Sequence, residues 1–163
     1  MIQEQYTDFK DFSGFKTVSS LRQNLHQIPK SPGVYLVFRN DASYPNFLTV
    51  GSGGHFKNRN PNVSAEVLAE NWVDGAKVVY IGKAGSLTGS ATLQSRIKQL
   101  LQFGDGKNIG HWGGRLLWQL ADHEELVLAW KQITDQEPKD VETVMIQEFK
   151  DYFGQRPFAN LQG

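Results

Sequence analysis

Val78-Val79-Tyr80-Ile81-Gly82 is a run of β-branched and aromatic residues closed by a glycine, and it reads as a strand. Gly33-Val34-Tyr35-Leu36-Val37-Phe38 has the same make-up, opened by its glycine, and reads as another. Leu126-Val127-Leu128-Ala129-Trp130 supplies a third core strand. Helical patterns alternate with these runs. Leu93, Ile97, Leu100 and Leu101 recur at helical spacing, which predicts a helix over 91–103 ended by Gly104. A final helix is predicted with Asp135 as its cap, Glu137 and Pro138 in its opening turn, Phe153 at its end and Gly154 as its stop. Together these segments predict a mixed α/β (α+β) chain: a small central antiparallel or mixed sheet flanked by helices.

Outside these runs the signals are weaker. Tyr6, Phe9, Phe12 and Phe15 mark an N-terminal strap packed on the domain, or a frayed end. Thr17 can cap a short helix through Leu25, with Val18, Leu21 and Leu25 on one face and Pro29 and Pro32 beyond it. Between the two tyrosine strands, Phe47-Leu48-Thr49-Val50 has strand composition, 51–54 reads as a flexible glycine loop, and 63–70 reads as a helix capped by Ser64. No internal repeat or linker divides the chain, so one domain is expected over 1–163.

Hydrophobic residues make up 39% and charged residues 21% of the 163, enough apolar material for a packed core. There is no cysteine, so disulfides, thiolate metal sites and cysteine nucleophiles are excluded. The four histidines show no zinc-ligand spacing. No apolar run has membrane-span length and the N-terminus lacks a secretion pattern, so a soluble cytoplasmic protein is expected. Lys and Arg number 17, as do Asp and Glu. A nucleic-acid binder usually carries a basic excess, so any such role must rest on a local cluster of charge.

Several polar residues sit in unusual places. Tyr35 and Tyr80 lie within strands, near Gly33 and Gly82, and glycine there permits close approach of another element or a ligand. Lys83 follows at the strand's end, Arg96 lies in the next helix, and Glu142 lies near the start of the last. Phosphodiester hydrolysis uses such groups. A carboxylate can hold a hard divalent cation that keeps several waters. The cation and a guanidinium neutralise charge on the phosphate oxygens. A phenol whose pKa a nearby cation lowers can take a proton from water. Singly, each residue has an ordinary reading: core tyrosine, surface lysine, snorkelling arginine, helix-dipole glutamate. The chemistry requires that all five converge.

These residues resemble the GIY-YIG nuclease family. Gly33-Val34-Tyr35 resembles its first signature and Tyr80-Ile81-Gly82, with Lys83-Ala84, its second. Leu93-Gln94-Ser95-Arg96-Ile97 resembles the helix that carries the family's arginine. Glu142-Thr143-Val144-Met145-Ile146 resembles the segment with its metal-binding glutamate, and Pro157-Phe158-Ala159-Asn160 its terminal signature. The resemblance implies a small antiparallel sheet with flanking helices, one divalent cation (Mg2+ or Mn2+) on Glu142, and attack by water on DNA phosphate. It implies Arg96 on the scissile phosphate and Tyr35 as general base with Tyr80 orienting water, the two being exchangeable. Lys83 would depress a tyrosine pKa or bind phosphate, and Asn160, with Gly33 and Gly82, would support the site. Residues 39–76 form an insertion relative to the family's short hairpin, and Arg96 lies further beyond Tyr80 than usual. Glu148 rivals Glu142; the apolar Met145 and Ile146 favour Glu142.

Two segments suit contact with a nucleic-acid backbone. Within the insertion, His55, Lys57 and Arg59 surround an aromatic and several amides. After the Arg96 helix come Lys107, His111 and Arg115, and Lys98 adds charge beside Arg96. An endonuclease acting on DNA is the leading reading, with RNA left open as substrate. A binding module of the same fold without activity is the alternative.

Overall fold

The computed structural model describes residues 11–161; Tyr6 and Phe9 of the expected strap lie outside them. The sheet has four antiparallel strands in the order β1-β4-β2-β3: β1 Ser13–Thr17, β2 Gly33–Phe38, β3 Val78–Ala84 and β4 Val127–Gln132. The α-helices are α1 Val18–Arg22, α2 Ala65–Asn71, α3 Leu93–Gly104 and α4 Pro138–Phe153. The α+β class expected from the sequence is therefore the one observed.

Register decides which residues share a face. Tyr35 pairs with Gly82 and Val37 with Tyr80, so both phenols lie on one face of the β2–β3 ladder. That face packs against α3 through Leu93, Ile97 and Leu100, and against Leu116, Leu117 and Trp118 of the 3-10 segment Trp112–Gln119. The opposite face, with Leu36, Val78 and Ile81, packs on Ile146 and Phe149 of α4. Within α4, Pro138, Glu142, Ile146 and Phe149 recur at helical spacing, so Glu142 shares the inward stripe while Glu148 is exposed.

Caps explain most helix ends. Thr17 accepts from Ser20 N to open α1, which stops at Arg22; Leu25 belongs to a separate 3-10 turn, Leu25–Gln27. Ser64 caps α2, and Thr92 with Ser95 forms a reciprocal box at the start of α3. Asp135 does not cap α4. The cap position is Glu137, whose side chain makes no capping bond, and Pro138 sets the first turn.

Other expectations also need correction. Phe15 belongs to a strand on β4, Ser13–Thr17, while Phe12 packs on the core as the strap reading expects. Phe47 makes only an isolated bridge to Leu120, so 47–50 forms no strand. The 51–54 loop is tied down by Ser52 N to Trp118 O and Gly54 N to Phe103 O. Gln119 fastens the same excursion, accepting from Val63 N and donating to the Leu48 and Val63 carbonyls. Gly104 does not stop α3 but ends it from inside, and the left-handed residue is Gly106.

Gly104 is required by packing. A Cβ there would lie 2.3 Å from atoms of the Trp118 ring. Gly104→Ala is therefore expected to lower stability by about 1–3 kcal/mol, although alanine is the better helix former. Urea unfolding measures this; a midpoint at or above that of the wild type contradicts the packing argument.

Candidate active site

The two signature glycines serve the approach of other groups. A Cβ on Gly82 would stand 2.4 Å from Cζ of Tyr35, so the Tyr35 ring lies across the strand where Gly82 has no side chain. A Cβ on Gly33 would meet the Lys131 carbonyl at 2.2 Å and Leu93 Cδ1 at 2.8 Å, so Gly33 lets β4 and α3 close on β2.

Tyr35 is 1% exposed and Tyr80 9%, with ring centroids 6.1 Å apart. The Tyr35 hydroxyl is 2.9 Å from Nε2 of His111, and the His111 ring is edge-on to Tyr80 at 6.0 Å. His111 is 1% exposed, and its Nδ1 is buried without a hydrogen-bond partner. The expected contact of His111 with a nucleic-acid backbone does not fit this placement: the imidazole is an internal partner of the Tyr35 phenol.

Electrostatics depart from the expectation too. Burial pushes Tyr80 up to about 12, against a smaller lowering by Arg96. Tyr35 is raised well above the usual phenol value, chiefly by burial and then by Tyr80. Neither phenol is depressed, and the cation that acts on both is Arg96 rather than Lys83. Burial, followed by repulsion from Arg96, lowers His111 to about 3, so its imidazole is neutral.

Arg96 donates through Nη1 to Gln99 Oε1 at 2.9 Å and to the Gly110 carbonyl at 3.1 Å. Among the described residues no acid pairs with it. Lys83 Nζ reaches the Gly85 carbonyl at 3.4 Å. Glu142, with 13% of its side chain exposed, pairs with Lys139 at 3.2 Å. Tyr35, Tyr80, Lys83, Arg96 and Glu142 all line one cleft of about 520 Å³. β3 is an edge strand, so Glu142 comes from the helix on the far face and meets the phenols around that edge. Asn160, 7% exposed, braces the edge: its Oδ1 accepts from Ile81 N at 2.9 Å and its Nδ2 donates to Ile81 O at 2.8 Å.

No family model, curated protein or solved structure matches the chain.

A second cleft of about 630 Å³ shares Tyr80 and Glu142 with the first and is lined also by Arg59, Arg115 and Lys139. His55, Lys57, Lys98 and Lys107 are exposed and line neither cleft. Glu148 is likewise outside both. Sequence reasoning missed Gln99, Lys139 and the partnership of His111 with Tyr35. The spacing of Lys139 and Glu142, three apart in a helix, was a readable signal. The separation of 76 positions from Tyr35 to His111 offered none.

Among the described residues no three His, Asp or Glu groups gather as a metal cage. Glu142 is one carboxylate on a roomy polar cleft. That donor set fits a magnesium-like ion, which keeps most of its own water, and does not fit zinc.

An ordinary histidine titrates near 6.5, and His111 near 3 in the folded protein. Between these values the unfolded chain takes up a proton that the folded one refuses. Stability therefore falls as pH drops through that window and levels off below it. We expect His111→Gln to shrink the loss of unfolding free energy between pH 7 and pH 4 by on the order of 3 kcal/mol. Denaturant titrations at the two pH values measure this, and an unchanged loss removes His111 from the acid response.

Proposed function

We propose that this protein is an endonuclease of the GIY-YIG kind that hydrolyses phosphodiester bonds in DNA with one divalent cation, Mg2+ or Mn2+. One observation carries the reading: two phenols, an ammonium, a guanidinium and a carboxylate, from β2, β3, α3 and α4, line a single cleft. The order of the signature segments along the chain supports it.

Glu142 is the residue to hold the cation, and a cation there lowers the pKa of water and offsets phosphate charge. Lys139 engages only Oε1 of this carboxylate, and the cation would compete with it or take Oε2. The Arg96 guanidinium, oriented by Gln99 and Gly110 and without an acidic partner, faces the cleft as the ligand for a non-bridging phosphate oxygen. Tyr35 meets the attacking water. Its high pKa rules out a resting phenolate, so its oxygen accepts the water proton as its own proton passes to Nε2 of His111. Burial is the larger cause that keeps His111 unprotonated and the Arg96 charge the smaller; a phosphate on Arg96 offsets the second and so favours this transfer. The phosphorus gains the water oxygen and loses the ester oxygen, which leaves on the departing strand. Tyr80, on the wall common to both clefts, donates to the phosphate or the water.

The Lys139–Glu142 pair favours a second reading, a DNA-binding module in which the acid is permanently occupied. Wild-type protein with magnesium and a panel of duplex, single-stranded, branched and flapped DNAs separates the two. We expect metal-dependent cleavage, abolished in Glu142→Ala with DNA affinity largely kept, while Glu148→Ala cleaves normally. Full cleavage by Glu142→Ala refutes the metal site. Arg96→Ala is expected to lower turnover by roughly 10²–10³, more than it lowers affinity; a collapse of affinity at unchanged saturated rate contradicts its role.

A further inference from the structure

The second cleft contains an arrangement that the reaction does not use. Cζ of Arg59 stands 4.2 Å from the centroid of the Trp112 ring, and Cζ of Arg115 stands 4.6 Å from it. Arg115 is also fixed by a bond from its Nη1 to the Trp112 carbonyl at 3.1 Å. Among the described residues, neither guanidinium has an acidic partner. Burial and the charge of Arg59 lower the pKa of Arg115, so the two cations repel one another. The ring attracts both cations through its face, but only an anion cancels the repulsion between them.

Arg59 comes from the long 39–76 excursion and Arg115 from the 3-10 segment after α3. Their meeting is built in by the backbone. Ser52 N donates to the Trp118 carbonyl at 3.2 Å, and Leu48 N donates to the Gln119 carbonyl at 2.7 Å. These bonds join the two segments before any ligand arrives, which lowers the ordering cost of binding. Tyr80 and Glu142 line this cleft and the catalytic one alike, so the two form adjoining halves of one trough.

We propose that Arg59 and Arg115, stacked on Trp112, form a phosphate subsite that holds a neighbouring phosphodiester of the same DNA strand while Arg96 holds the one to be cut. This rests on the nuclease reading for the position of the cut. The substrate class follows: a ligand with phosphates on both sides of Tyr80 is a polynucleotide, and a mononucleotide fills only half the trough. The arginines grip the backbone rather than a base edge, so the subsite places the strand without reading its sequence.

The test is binding in EDTA, with cleavage playing no part. Fluorescence anisotropy of a labelled DNA duplex is measured across a salt series for wild type, Arg59→Ala, and the Arg59→Ala/Arg115→Ala pair. Arg59 is exposed, so its single variant keeps the question open if the double variant fails to fold. We expect the pair to weaken binding at least ten-fold and to flatten the salt slope by about 1, for the one phosphate the two arginines share. The single variant should show roughly half the slope change. A series of duplexes, each with one phosphate replaced by an uncharged methylphosphonate, then locates the contact. One position should weaken wild type strongly and leave the double variant indifferent. Unchanged affinity and slope overturn the subsite, as does a loss spread evenly over all positions. Tighter binding of the same duplex as RNA, with the same arginine dependence, overturns the assignment to DNA. Binding is read without metal, so a wild-type protein that fails to cleave with magnesium refutes the nuclease and leaves this result standing.

Discussion

The close approach of Tyr35 to Gly82 sets the geometry on which the rest of the site depends. Any side chain at Gly82 would occupy the space of the phenol ring. With the ring in that position, its hydroxyl meets His111, whose neighbour Gly110 offers its carbonyl to Arg96. Trp112 follows directly and gathers Arg59 and Arg115. A slip of one residue of β3 against β2 would turn Tyr80 toward α4 and set Ile81 or Lys83 opposite Tyr35 in place of Gly82. The register is held from both sides, since β2 pairs with β3 and β4 along its length.

The sheet's edge solves a second problem. The phenols and the acid belong to helices and strands on opposite faces, separated by a layer of backbone. Because β3 is last in the sheet, the path between faces is short there. An unprotected edge invites pairing with another chain, yet here it must stay open beside the clefts. The C-terminal segment resolves the conflict with few residues: Ala159 N donates to the Val79 carbonyl and the Asn160 amide satisfies both backbone groups of Ile81.

The sequence made some of this legible and hid the rest, for identifiable reasons. β2, β3, α3 and α4 were readable because each buries a face or a whole run and so shows a strong period. β1 was hidden. Its register shifts between Gly14 and Lys16, Phe15 takes a positive φ, and its mixed exposure breaks any alternation. The 47–50 run has the composition of a strand but meets no strand to pair with. The five candidate catalytic residues could be picked out because each lies at a marked place on its own element. The sense of the tyrosine shifts could not. Adjacency to Lys83 suggested lowering, but depth in the core is a tertiary property, and desolvation outweighs the cation that is present. His111 was misplaced for the same reason: a histidine among glycines and cations looks like surface until Tyr35 is brought to it.

The formal charge of zero counts mildly against a nucleic-acid ligand, but a sum does not say where the charges lie. Arg22 is matched by Glu124 and Asp105, and Arg39 by Asp122, in ion pairs that fasten loops to the domain. Arg59, Arg96 and Arg115 have no such partners among the described residues, and all three line the adjoining clefts. Among the described residues, the sole acid in those linings is Glu142. With five cations to one acid in the two linings, a chain of balanced composition presents a locally cationic trough. A protein built this way avoids the self-repulsion of a broadly basic surface and still concentrates unpaired guanidinium in one trough.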